Sequence, residues 1–166
     1  MSFTIKSIVA GPGEVGICPM PGRSGSYRDD LQIISTWTPG LVLSVITSGE
    51  MAETGMSGLP DDLAVINCDW LHLPVDDFGA PKAATRNLWP VASERAQDIL
   101  QAKRRVLVHC KAGCGRSGMT ILRLLLEMGE QPETALARLR AVRPCAIETP
   151  EQMQWAISGY KGATIR

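Results

Sequence analysis

Cys110 is followed six residues later by Arg116, inside the run His109-Cys110-Lys111-Ala112-Gly113-Cys114-Gly115-Arg116-Ser117-Gly118. A cysteine thiolate is a strong nucleophile at neutral pH. A guanidinium is a planar fork that grips two oxygens of a phosphate and holds charge as it develops. Glycines at positions 113 and 115 permit a tight loop whose N–H groups converge on an anion, and a helix starting there adds its positive end. The same field favours thiolate over thiol. Of the five cysteines, Cys110 alone has an arginine at this spacing. Bland readings stand beside the sharp one. Cys110 read alone fits a buried structural thiol, Arg116 a surface residue at a helix start and Ser117 a helix cap.

This chemistry needs a strand that ends at His109 and a helix that begins at Arg116. Arg105 to His109 reads as a buried strand, and Arg116 to Met128 as an apolar helix closed by Gly129. Ligand crevices in α/β sheets lie at such strand carboxyl ends. Further strands are expected at Phe3 to Val9, Val15 to Cys18, Leu41 to Ile46 and Asp69 to Leu73. Helices are expected over Tyr27 to Trp37, Lys82 to Lys103, Pro132 or Glu133 to Val142, and from Thr149 onward, with short helical pieces after Ser48 and Pro60. In the long helix Leu88, Val91, Ala92, Ile99 and Leu100 are expected to face inward, with Pro90 kinking or breaking it. The alternation predicts an α/β three-layer sandwich, with a mostly parallel sheet of about four or five strands flanked by helices. One domain is expected over residues 1–166.

The 17 basic and 17 acidic residues cancel, so no global field recruits nucleic acid or an anionic membrane. The odd number of cysteines, the lack of a Cys-x-x-Cys pair and the presence of two histidines argue against a zinc site, and no metal or other cofactor is expected. No leader pattern and no run long enough to span a bilayer is visible, which predicts a cytoplasmic protein with free thiols. Cys18, Cys68 and Cys114 read either as ordinary small core residues or as thiols able to pair with an oxidised Cys110.

His-Cys-x-x-Gly-x-x-Arg-Ser-Gly resembles the signature of the protein-tyrosine phosphatase superfamily, dual-specificity type. Gly16 to Gly22, Leu43 to Ile46 and Glu50 are similar to the kinase-associated phosphatases and their bacterial relatives. The resemblance implies the cysteine-phosphatase fold and a phosphocysteine intermediate on Cys110. It implies that Arg116 binds the phosphoryl group, that Ser117 assists breakdown of the intermediate, and that His109 bonds the loop and tunes the thiolate. The amides of Lys111, Ala112, Gly113, Cys114, Gly115 and Arg116 would cradle the phosphate.

The family also places a general acid on an upstream loop, which Leu73 to Pro81 fits; Asp-Phe-Gly-x-Pro selects Asp77 over Asp76, although aspartate is also an ordinary turn residue. Gln152, in the segment Arg143 to Gln152, stands where relatives position hydrolytic water. Cys114 replaces a second lysine of the lipid-phosphatase relatives, which favours a phosphorylated protein or peptide substrate. Phosphotyrosine and phosphoserine or phosphothreonine are the expected groups. Inositol phosphate or phosphoinositide hydrolysis, a non-catalytic phosphate-binding module and rhodanese-like sulfur transfer are the alternatives.

Overall fold

A computed structural model describes residues 2–162. Its five strands are β1 (Lys6–Ala10), β2 (Gly13–Cys18), β3 (Leu41–Ser44), β4 (Asp69–His72) and β5 (Arg105–His109), ordered β1-β2-β5-β3-β4 in one sheet. β1 and β2 form an antiparallel hairpin, and every other pairing is parallel. Helices make the crossovers: α1 (Tyr27–Trp37), α2 (Ser48–Glu53), α3 (Leu59–Val65), α4 (Ala83–Gln101), α5 (Gly115–Glu127), α6 (Pro132–Val142) and α7 (Pro150–Ile157).

The central strands β3 and β5 are apolar on both faces, as parallel strands covered on both sides must be. Val106, Val108, Leu41 and Leu43 enter one core with residues of α4 to α7. Leu107 and Val42 point the other way, into a second core with Ile34, Met51, Leu59 and Leu63 of α1 to α3. Register then places the chemistry: Cys18 and Ser44 both pair with His109, and Ser44 pairs with His72. The carboxyl ends of four strands therefore meet on one rim, where the loop after β5 emerges.

Three expectations need correction. The first strand begins at Lys6, although Phe3 is buried in the second core. α4 passes through Pro90 unbroken; Leu88 and Val91 are exposed, and the buried stripe is Thr85, Trp89, Ala92, Ser93, Ala96, Ile99 and Leu100. That stripe follows helical spacing, which turns Leu88 and Val91 toward solvent. Finally, the thiols are not all free. Cys114 and Cys145 form a disulfide with Cα atoms 5.1 Å apart across 31 residues of sequence, while Cys18, Cys68 and Cys110 are free and buried. The antiparallel return of α6 along α5 makes that pairing possible, by bringing the segment after Val142 back to the loop after β5. Cys114 is thereby removed as a partner for Cys110.

Among the described residues no helix is long and apolar enough to cross a membrane, and no cluster of His, Cys, Asp and Glu could hold a metal.

Candidate active site

The loop from Cys110 to Gly115 turns with its carbonyls outward. Lys111 O accepts from Met20 N at 3.1 Å and from Arg23 Nη1 at 3.3 Å. Arg143 holds Ala112 O through Nη2 and Gly113 O through Nε, both at 2.8 Å. Among the described residues the amides of Lys111 to Arg116 donate to no protein acceptor. A loop whose carbonyls are spent and whose N–H groups are not is a nest built for an oxyanion. Gly113 makes the turn possible, having φ 74° and standing so close to β2 that a Cβ would lie 2.6 Å from the carbonyl carbon of Cys18.

Cys110 Sγ lies 3.2 Å from Ser117 Oγ, in the first turn of α5. His109 Nδ1 contacts Cys110 O at 3.1 Å and His109 Nε2 contacts Ser44 Oγ at 2.6 Å. The carbonyl can only accept, so Nδ1 carries the proton and Nε2 accepts from the Ser44 hydroxyl. Trp70 Nε1 donates to Ser44 Oγ at 2.8 Å and completes the chain. Burial pushes the His109 ring down to about 4, opposed by its bond to the Cys110 carbonyl, so the ring is neutral as that chain requires.

A histidine kept neutral by folding stabilises the fold fully above its unfolded value of about 6.5. The unfolded chain takes up the proton first as pH falls, and the contribution, about 3 kcal/mol, is lost between pH ~6.5 and ~4. Denaturant midpoints measured across that range should fall steeply for the wild type and more gently for His109→Gln.

Arg116 is 2% exposed and would be costly to bury unpaired. Its Nη1 donates to both oxygens of Glu50, at 2.9 and 3.0 Å, and to Val75 O at 2.9 Å. Glu50 sits in the first turn of α2, just past the end of β3, so the same rim that carries the loop supplies the counterion. Arg116 Nη2 meets Asp77 Oδ1 at 3.2 Å.

The two aspartates diverge. Asp76 pairs with Lys82 at 2.7 Å, and that hydrogen bond holds its carboxyl below the usual range. Asp77 turns inward over Arg116. The loop is shaped by Gly79 N bonding Asp76 O at 2.8 Å and by Phe78 at φ 61°. Two side chains from the start of α7 hold it down: Thr149 Oγ1 donates to Phe78 O at 3.4 Å, and Gln152 Nε2 to Gly79 O at 3.1 Å. Gln152 is fully buried, and its Oε1 also accepts from Glu148 N at 2.8 Å. Both ends of its amide are thus engaged by backbone.

The structure brings His109, Cys110, Arg116, Ser117, Asp77 and the loop amides together, with Gln152 one layer behind the Asp77 loop and Lys111 exposed at the rim. The anchoring of Arg116 by Glu50 and the Trp70–Ser44–His109 chain were not legible beforehand. The sequence signals for them are that Ser44, Glu50 and Trp70 lie in or just past strands whose carboxyl ends share the rim, and that Ser44 and Glu50 fall in the segments that resemble the family.

Fold and site together define the class: a phosphatase of the protein-tyrosine-phosphatase type, with an anion loop between a strand and a helix. The family model described as "Polymorphic toxin system, DSP-PTPase phosphatase" matches residues 18–130, and the chain belongs to that family. Cyclin-dependent kinase inhibitor 3 of Rattus norvegicus is 29% identical over 150 residues, covering 85% of this chain and 69% of the relative. Kinase-associated phosphatase, solved with its catalytic-site cysteine replaced by serine, aligns with a TM-score of 0.80 at 24% identity over 94% of this chain and 93% of that one. Tk-PTP in its active form aligns with a TM-score of 0.72 at 25% identity over 93% and 94%.

Proposed function

We propose that this phosphatase hydrolyses phosphotyrosine and phosphoserine or phosphothreonine in proteins through a phosphocysteine intermediate. The carrying observation is the run of amides from Lys111 to Arg116, directly after Cys110, that donate to no protein acceptor among the described residues. The Nη1 atom of Arg116 is taken by Glu50 and Val75, which leaves the Nε–Nη2 edge for two phosphoryl oxygens.

Cys110 and Arg116 are each 2% exposed while Asp77 rests on the guanidinium, so substrate enters when the acid loop swings out. Cys110 Sγ then attacks phosphorus, and the bond to the leaving oxygen breaks as Asp77 gives that oxygen its proton. Charge on the equatorial oxygens is met by the amides and Arg116. In the second half Asp77 takes a proton from water, the water oxygen attacks the phosphocysteine, and the Ser117 hydroxyl donates to the departing sulfur. Inorganic phosphate leaves.

Two observations support a phosphoprotein substrate. Position 114 offers no cation, its side chain being tied to Cys145. The similarity to proteins named for kinases also points to phosphoproteins. Exposed Arg23 and Lys111 at the rim favour a polyanion such as an inositol phosphate as the second reading. A panel of phosphopeptides, inositol phosphates and phosphoinositide vesicles separates the two. Phosphopeptides should lead in kcat/KM by roughly tenfold or more; an inositol phosphate at the head of the panel would overturn the protein assignment.

A further inference from the structure

Residues 143–152 touch both catalytic loops. At one end Arg143 holds the carbonyls of Ala112 and Gly113, and Ile147 N donates to Cys114 O at 3.4 Å. At the other, Thr149 and Gln152 hold Phe78 and Gly79 of the acid loop. Between the two ends stands Ile147 at φ 67°, a conformation that a β-branched residue adopts only when its surroundings impose it. Several fixed points hold it there: Arg140, which donates to Ala146 O at 2.9 Å and to Ile147 O at 3.1 Å, the helix start at Thr149, and the Cys114–Cys145 disulfide that joins the segment covalently to the phosphate loop.

We infer that residues 143–152 are a strap that positions the phosphate loop and the acid loop relative to each other. The Cys114–Cys145 disulfide is its pin, so that turnover depends on the redox state of two cysteines whose sulfurs take no part in the chemistry. The inference rests on Asp77 serving as the general acid.

Cys145 is exposed, so an external dithiol can reach the bridge. One thiolate of the dithiol attacks a bridge sulfur and forms a mixed disulfide; its second thiol then displaces the protein. Two electrons and two protons pass to Cys114 and Cys145, and the dithiol leaves as its own disulfide. Cys110 is not consumed. With the pin open, the segment around Ile147 keeps its hydrogen bonds to Cys114 and Arg140 but loses its covalent link to the phosphate loop. Residues 148–152 then hold the acid loop less firmly, and the phosphate loop loses its covalent brace.

The test compares the full chain before and after anaerobic treatment with dithiothreitol, with intact mass reporting the bridge. The substrates are phenyl phosphate, whose leaving group needs the acid, and p-nitrophenyl phosphate, whose leaving group needs it less. Reduction should lower kcat on phenyl phosphate by on the order of tenfold, with a smaller loss on p-nitrophenyl phosphate, and should weaken vanadate binding. Cys145→Ser should match the reduced wild type and no longer respond to dithiol. If that variant fails to fold, reduction of the folded wild type still decides the matter. Absence of the bridge by mass, unchanged kcat after its opening, or an equal loss on both substrates would overturn the strap. An oxidised wild type without turnover would instead sink the catalytic reading itself.

Discussion

Cys110→Ser should lower hydrolysis of any phosphate monoester by roughly 10⁴-fold or more while leaving phosphopeptide binding intact. The reason is the division of labour in the loop. In the proposed mechanism, affinity for the phosphate comes from the amides of Lys111 to Arg116 and from the guanidinium that Glu50 and Val75 hold in place, none of which the substitution removes. Only the atom that attacks phosphorus changes, and a serine hydroxyl with no adjacent base is a poor nucleophile. His109 offers no such base: its Nδ1 proton is directed to the Cys110 carbonyl, and its Nε2 lone pair is taken by Ser44. Steady-state kinetics on an aryl phosphate, paired with calorimetric titration of the variant with phosphopeptide, checks both halves. Retained turnover would place the nucleophile elsewhere.

Asp77→Asn should be the second-largest effect, a fall in kcat of roughly 10²-fold with little change in KM, because the proposed mechanism has the carboxyl act on the leaving oxygen and not on the bound phosphate. The loss should grow as the leaving group becomes a poorer one, so phosphoserine peptides should suffer more than p-nitrophenyl phosphate. Asp76→Asn is the control, since Asp76 is exposed and paired with Lys82. A large, leaving-group-dependent loss from Asp76→Asn, with none from Asp77→Asn, would exchange the two assignments.

What could be read in advance follows from locality. β5, the loop and α5 are consecutive, so an apolar run, two glycines and the Cys–Arg spacing suffice to place them. α1 also has the span that its apolar spacing and flanking Pro39-Gly40 predict, Tyr27–Trp37. The misses are long-range. Cys145 meets Cys114 only because α5 and α6 form a hairpin, and spacing along the chain holds no trace of that. Glu50 reaches Arg116 across 66 residues, and Ser44 reaches His109 across 65, because β3 and β5 are neighbours in the sheet. The contacts of Gln152 show the same limit: its buried amide bonds the backbone at Gly79 and Glu148, and spacing along the chain does not show the Gly79 contact. Leu88 and Val91 are exposed for a local reason: they lie off the face of α4 that Trp89, Ala92, Ala96, Ile99 and Leu100 share.

The most direct measurement is rapid acid quench of the wild type during turnover of a phosphorus-32-labelled phosphopeptide, followed by digestion and mapping of the label. The expected result is label on the peptide carrying Cys110, as an acid-stable phosphothioester that forms and decays at rates able to support kcat. Turnover with no protein-bound label, tested where breakdown is slowed by Ser117→Ala so that the intermediate accumulates, or label on another residue, would contradict the mechanism.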